Sequence, residues 1–335
     1  MPVKIFVTGA AGFIGFHVSR LLLSQGHEVV GFDGLTAYYD PALKRSRVAI
    51  LEQEPGFRLV EGMLEDQEGL SALLRSETPE IAIHLAAQAG VRYSLESPGS
   101  YIQSNIVGTA SLLEALRQTP VKHLIFASTS SVYGGNIKMP FAETDRADHP
   151  VSLYAATKKA GEAMVHSYSH LWGLPTTCFR FFTVYGPYGR PDMAPIKFAS
   201  AISAGRPIDV YGYGRMRRDF TYVDDLADAV VRLIPVTPQR GLPVENDSLS
   251  PVAPYRIVNV AAGQAVELMD FIAALEAALG RKAVLNLLPM QPGDVGATEA
   301  DTGLLHRLIG PVRTTPLEVG VQRFAEWFSS YRANK

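Results

Sequence analysis

Tyr154 and Lys158 stand four residues apart in a stretch with helical patterning, a spacing that puts both side chains on one helix face. A lysine ammonium beside a phenol favours the phenolate, lowering its pKa from about 10 toward neutrality. Such a pair can take the proton of a hydroxyl while hydride leaves the same carbon. The pattern occurs twice, because Tyr331 and Lys335 also fit it. That second pair falls where a helix end is expected to fray, so no chemistry is assigned to it. Tyr154 differs in context: it follows the hydroxyl-rich segment Ala127–Tyr133 at the end of a strand-like run. The C-terminal ends of strands in open α/β sheets are where ligands bind.

Gly9, Gly12 and Gly15 form a second constellation between the first strand-like run and the first helical pattern. Glycine there permits a tight turn, close approach of backbone to a pyrophosphate, and close helix–strand packing, with the helix N–H groups facing the phosphates. Asp33, at the end of the second strand-like run, would accept hydrogen bonds from ribose hydroxyls and repel a 2′-phosphate. The pattern therefore points to NAD rather than NADP. His166 and His170 could share a helix face with a metal, but no third ligand is near them in sequence, and they are read as structural.

These residues need a scaffold that brings strand ends together. Val3–Thr8, Glu28–Phe32, Phe57–Glu61, Ile81–Leu85, His123–Ala127 and Thr176–Phe182 read as continuous apolar strands, with helices between them such as Gly12–Ser24. Continuous apolar strands alternating with helices predict a doubly wound parallel sheet covered on both faces. The expected division is a dinucleotide-binding domain over residues 1–180, with a later segment near 213–235 returning to it. Residues 181–335 would form mainly a smaller, partly interleaved α/β substrate lobe. Helices are expected over Glu267–Leu279 and Leu317–Ser329, and an exposed loop over Pro235–Pro254.

Composition narrows the partners. The 335 residues carry a net charge of −2 and are 47% hydrophobic, which allows a sizeable core but offers no basic surface for nucleic acid or an anionic membrane. Cys178 is the one cysteine, so an intrachain disulfide is excluded, and its apolar surroundings predict a buried thiol. No run is apolar for long enough to span a bilayer, and a cytoplasmic location is the default expectation.

The loop Gly9–Gly15, with Phe13 and Ile14 before its last glycine, resembles that of the extended short-chain dehydrogenase/reductase family, whose cofactor domain is a Rossmann fold. The resemblance includes His84-Leu85-Ala86-Ala87-Gln88 and Asn105–Thr109, which in that family line the nicotinamide side, and it implies the same place for Phe182. Where relatives carry an aspartate that holds adenine, this chain has Met63 and Leu64, so apolar or backbone recognition is implied instead. Alignment assigns the third catalytic position, beside Tyr154 and Lys158, to Thr129. Ser130 and Ser131 follow it where dehydratases and decarboxylases of the family carry acids. An extra acid/base serves elimination rather than simple oxidation and reduction, so an epimerase is implied.

The second half resembles nucleotide-sugar enzymes. Backbone at Val210 and Tyr211 would pair with uracil, Arg218 would hold the diphosphate through paired donors, and Gln291 and Asp294 belong to a loop that meets the nucleotide ribose. Arg217 is as readily a surface residue as a ligand contact. The segments Asp33–Asp40, Ala89–Ser94 (with Arg92) and Arg180–Met193 (with Thr183 and Arg190) together look like UDP-glucuronate 4-epimerases, Arg190 supplying a cation for a sugar carboxylate. UDP-glucose and UDP-N-acetylglucosamine 4-epimerases are the nearest alternatives; a non-catalytic NAD-sensing module and a net oxidoreductase are others. The resemblance also implies a homodimer through helices near 100–117 and 153–171.

Overall fold

A computed structural model describes residues 2–291 and 293–333. Its frame is a seven-stranded parallel sheet of β1 (Lys4–Thr8), β2 (Glu28–Asp33), β3 (Phe57–Glu61), β4 (Ile81–His84), β5 (His123–Thr129), β6 (Thr176–Phe181) and a late strand, Tyr255–Val260. From one edge the order runs β3-β2-β1-β4-β5-β6 and then the late strand, so the winding direction reverses between β1 and β4. A crevice opens at such a reversal beyond the strand ends. The strands carry the apolar runs expected of a sheet buried on both sides. Ile5, Val7, Ile83 and Ile125 point into one core layer, and Phe6, Ala82, Leu124 and Phe126 into the other.

The crossovers supply the flanking helices α1 (Phe13–Ser24), α2 (Pro41–Leu51) and α3 (Gln67–Glu77), two single turns, α4 (Tyr93–Glu96) and α5 (Pro98–Tyr101), then α6 (Gly108–Gln118) and α7 (Leu153–Trp172). A π-helical stretch, Ile102–Val107, joins α5 to α6 and carries Asn105. The strand expected over Thr176–Phe182 ends at Phe181, and Phe182 separates β6 from β7 (Thr183–Tyr185). β7 leaves the large sheet and pairs in parallel with β9 (Arg217–Tyr222).

The remaining elements are α8 (Ala194–Ala204), β8 (Pro207–Val210), α9 (Val223–Leu233), the late strand as β10, β11 (Ala265–Glu267), α10 (Leu268–Leu279), β12 (Val284–Leu287), α11 (Gly303–Ile309) and α12 (Leu317–Ala333). A second core of Tyr185, Ile196, Phe220, Phe271, Phe324 and neighbours lies among them. The chain re-enters the first region twice. α9 packs against α1, and β10 adds itself to β6 with Val258 opposite Phe179. The segment expected to return, 213–235, contains α9; β10 falls beyond the expected boundary at 180 and is nevertheless the edge strand of the large sheet. Sequence spacing could not show this, because a strand preceded by a long loop does not declare which sheet it joins. No helix among the described residues is long and apolar enough to cross a membrane.

Candidate active site

The turn after β1 is built around its glycines. Gly9 has a φ of +74°, and a Cβ there would lie 2.7 Å from the Ala86 backbone nitrogen; one on Gly15 would lie 2.1 Å from the Gly9 carbonyl oxygen. Only glycine lets β1, α1 and the loop after β4 meet this closely. Gly12 caps α1 without a side-chain hydrogen bond, and the first turn has no acid, so the N–H groups near Phe13, Ile14 and Gly15 are open to an anion. The residues thus fit a dinucleotide diphosphate. Asp33 sits behind the turn, where Oδ2 accepts from Ala11 N at 3.1 Å and Oδ1 from Leu35 N at 2.9 Å. Lys44 approaches Asp33 to 3.9 Å, a cation that sequence reading did not single out. Met63 is 42% exposed beside Gly34, whereas Leu64 is buried under Gly108.

The wall beyond β4 is positioned by buried polar struts. His84 joins Thr8 Oγ1 at 2.7 Å to Thr109 Oγ1 at 3.3 Å; burial pushes its pKa down to about 3, so it is neutral. Asn105 accepts from Gln88 N at 2.8 Å and donates to Gln88 O and Thr157 Oγ1, both at 3.0 Å. Its amide is taken up by the protein, which makes Asn105 a support for the Leu85–Gln88 loop. Phe182 is likewise buried, in a cluster with Tyr133, Phe141, Ala261 and Ala300.

Ser152 caps α7 by accepting from Ala155 N at 3.1 Å, which sets Tyr154 in the first turn and Lys158 one turn on. β5 ends alongside, so the Thr129 hydroxyl lies against the Tyr154 phenol, while Lys158 Nζ donates to Ala127 O at 2.8 Å. Thr129 also donates to Ser131 Oγ at 3.2 Å and accepts from Ser131 N at 3.2 Å. The electrostatics differ from the sequence expectation. Burial dominates at Tyr154 and lifts its pKa, opposed by Arg190 and by the Thr129 hydroxyl rather than by Lys158. Burial also lowers Lys158, to about 8.

The residues expected to meet the sugar come from distant segments. Thr183 begins β7. Arg190 follows it on a loop, its guanidinium bonded to Asp192 and set over the Tyr38 ring at 5.9 Å. Farther out, Arg92 lies 4.5 Å above the Tyr211 ring and donates to Asp294 at 3.1 Å, joining three predicted substrate residues. Arg218 is not a free fork: it donates to Val295 O at 2.7 Å and to Gly296 O at 3.1 Å, which ties it to the loop bearing Asp294. Asp294 N in turn donates to Gln291 O at 3.2 Å. Val210 O already accepts from Leu288 N at 3.0 Å, leaving one lone pair for a base. Arg217 is half exposed and pairs with Glu267 at 3.2 Å. Pro292, within the Gln291–Val295 loop, lies outside the described residues, as does Lys335 of the second tyrosine–lysine pair.

Residues 5–267 match the model of the NAD dependent epimerase/dehydratase family. The chain belongs to this family. It is 55% identical over 335 residues to a probable UDP-glucuronate 4-epimerase of Rhizobium meliloti (strain 1021), covering 98% of both chains. It is 44% identical over 334 residues to UDP-glucuronate 4-epimerase 4 of Arabidopsis thaliana, covering 98% of this chain and 76% of that one. The crystal structure of UDP-glucuronic acid 4-epimerase from Bacillus cereus with UDP-glucuronic acid and NAD is similar at a TM-score of 0.87 and 31% identity, over 98% of this chain and 99% of that one.

For a member of this family, several supporting residues escaped sequence reading. Arg47 is fully buried in α2 and donates to Ala11 O, Tyr188 O and Gly189 O, joining the glycine turn to the Arg190 loop. Glu162, one turn beyond Lys158, receives Ser128 Oγ at 2.7 Å and a two-point pair from Arg180. A helix periodicity shows Glu162 on the Tyr154 face; nothing local marks Arg47. His166 bonds Ser250 Oγ at 2.9 Å and His170 bonds Val252 O at 2.8 Å, separate partners that hold the 250–252 loop. Cys178 is buried, which lifts its thiol pKa.

Proposed function

We propose that the chain interconverts UDP-glucuronate and UDP-galacturonate by inverting C4 of the sugar, with NAD as its resident cofactor. One observation carries the uronate choice: the Arg190 guanidinium, only 21% exposed, is close enough to the Tyr154 phenol to oppose the burial that raises its pKa. A carboxylate-binding cation thus stands beside the base expected to work on the 4-hydroxyl. The relatives' named substrate supports the same choice.

Bound at the glycine turn, NAD would accept hydride from C4 and give it back, so the net reaction is an isomerisation. Tyr154 takes the 4-hydroxyl proton and later returns it. Thr129 orients that oxygen by hydrogen bonding, and Lys158 holds Tyr154 to the end of β5 through Ala127. Asp33 meets the adenosine ribose, Met63 and Leu64 the adenine, and Leu85–Gln88 the nicotinamide side. Val210, Tyr211, Arg218, Gln291, Asp294 and Arg92 anchor the UDP while the oxidised sugar turns over beneath it. Ser130, Thr183 and Arg190 hold the carboxylate, and Ser131 stands where decarboxylating relatives carry a glutamate, so no carboxylic acid is at hand to protonate an incipient enolate. That hold matters chemically, because the 4-keto uronate is a β-keto acid and loses carbon dioxide when its C–C bond aligns with the ketone π system.

Two lobes, 1–180 with returning segments and a nucleotide-sugar lobe from the remainder, complete the reading, as do a cytoplasmic location and a homodimer. Ile102 and Val107, 42% and 38% exposed, support pairing through the helices near 100–117. The test is NMR of UDP-glucuronate incubated with the protein, beside UDP-glucose. Appearance of the galacturonate epimer is expected; conversion of UDP-glucose alone would overturn the uronate assignment.

A further inference from the structure

Arg190 already grips a carboxylate. Its Nε donates to Asp192 Oδ1 at 3.1 Å and an Nη to Asp192 Oδ2 at 2.5 Å, the two-point geometry with which a guanidinium takes any carboxylate. Tyr38 donates to Asp192 Oδ2 at 3.1 Å, and burial together with Asp192 raises the Tyr38 pKa to about 12. The pair is partly buried, with side-chain exposures of 21% and 25%. Burial works against the Arg190 charge, but Asp192 outweighs it and holds the guanidinium above its ordinary pKa.

The loop does not need this pair to keep its place. Arg47 holds the carbonyls of Tyr188 at 2.7 Å and Gly189 at 3.1 Å, and His17 bonds Pro187 O at 2.9 Å. The Tyr188 ring packs on Phe16 and Trp327. The backbone leading to Arg190 is therefore pinned to α1 and α2 independently of Asp192.

Resting on the uronate reading above, we infer that Asp192 is a built-in competitor for the substrate carboxylate, occupying the Nε–Nη edge of Arg190 until a uronate displaces it. In the free protein it spares a partly buried guanidinium from standing unpaired, which would be costly. A uronate offers Arg190 a replacement of equal charge and geometry, so the exchange is feasible. A neutral hexose offers none, and the pair stays closed against it. Asp192 thereby lowers affinity for the right substrate while denying an open cation to the wrong one, a selectivity obtained partly by repulsion.

The experiment is calorimetric titration in a Tyr154→Phe background, in which the ligand is bound but not turned over. Adding Asp192→Asn removes the competing charge at nearly constant volume. The dissociation constant for UDP-glucuronate is expected to fall about 3–10-fold, the scale of losing one charged hydrogen-bonding competitor, with UDP unchanged. In an Arg190→Ala background the same substitution should have no effect, because the competition runs through Arg190. Unchanged or weakened UDP-glucuronate binding would overturn the proposal and make Asp192 a positioning residue for Arg190. Tightening that persists without Arg190 would overturn it as well, reducing it to general repulsion. Wild-type turnover of UDP-glucuronate, followed separately, tells these failures from failure of the substrate assignment, with which the exchange also falls.

Discussion

The proposed cofactor cradle and the proposed sugar pocket are made of different material. The cradle is backbone: a glycine turn, the first N–H groups of α1, and strand ends at the sheet's point of reversal. Its residues come from one stretch of chain plus the ends of neighbouring strands. The pocket is side chain: Arg92, Arg190, Tyr211, Arg218 and Asp294, drawn from four separate segments and already bonded to protein groups. A backbone site can be occupied without rearrangement, whereas every cation of the pocket must exchange or share a partner when a ligand arrives. The cradle is thereby suited to a resident cofactor, and the pocket to choosing among sugars.

The largest effect is expected at Tyr154. Tyr154→Phe removes the proton acceptor but little volume, so turnover should fall about 10²–10⁴-fold while NAD and UDP affinities survive; near-normal epimerisation would remove Tyr154 from its role. On the pocket side, Arg190→Ala should weaken UDP-glucuronate binding about 10–100-fold, the range for a lost charged hydrogen-bond pair, and leave UDP binding unchanged. Thr183→Ala should act in the same direction, and both variants should leak a decarboxylated UDP-4-keto-pentose, visible by mass spectrometry. Normal binding with the epimer as sole product would move the carboxylate site elsewhere.

On the cradle side, Gly15→Ala drives a methyl to 2.1 Å from the Gly9 carbonyl oxygen. The turn must shift, at a cost of about 1–3 kcal/mol. NAD affinity should drop with it, while UDP affinity measured alone does not. Equal losses for both ligands would show the two regions to be one mechanical unit.

The smallest effect is expected at Glu143, which belongs to neither region. Burial lifts Glu143 to about 7 from 4.5. Between those values the folded protein holds a proton that the unfolded chain has released, so its contribution is full below about 4.5 and lost as pH rises through about 7. Glu143→Gln keeps an acceptor for Asn259 N, which Glu143 meets at 2.9 Å, and stays neutral. It should stabilise the protein by about 1–2 kcal/mol near pH 8 and hardly at all near pH 5, read from thermal melts at both. A gain independent of pH would mean that Glu143 is not a buried acid on its way to ionisation.

Much was legible in the sequence where chemistry is local. Gly9, Gly12 and Gly15 declare a turn because no other residue tolerates those contacts. The parallel sheet is written in largely apolar strand runs, and the Tyr154–Lys158 spacing follows from helix geometry alone. Resemblance added Thr129, Thr183 and Arg190 as candidates. What tertiary structure alone decided are the contacts between segments far apart in the chain: β10 joining β6, Arg47 reaching 141 residues ahead to Tyr188, and Arg92 meeting Asp294 across 202. It also decided the balance at Tyr154, where burial outweighs Arg190 and the Thr129 hydroxyl. The physical reason is the same in each case. Periodicity and glycine spacing record what the backbone must do over a few residues, but desolvation and the pairing of buried charges depend on which distant groups the packed chain brings within hydrogen-bonding range.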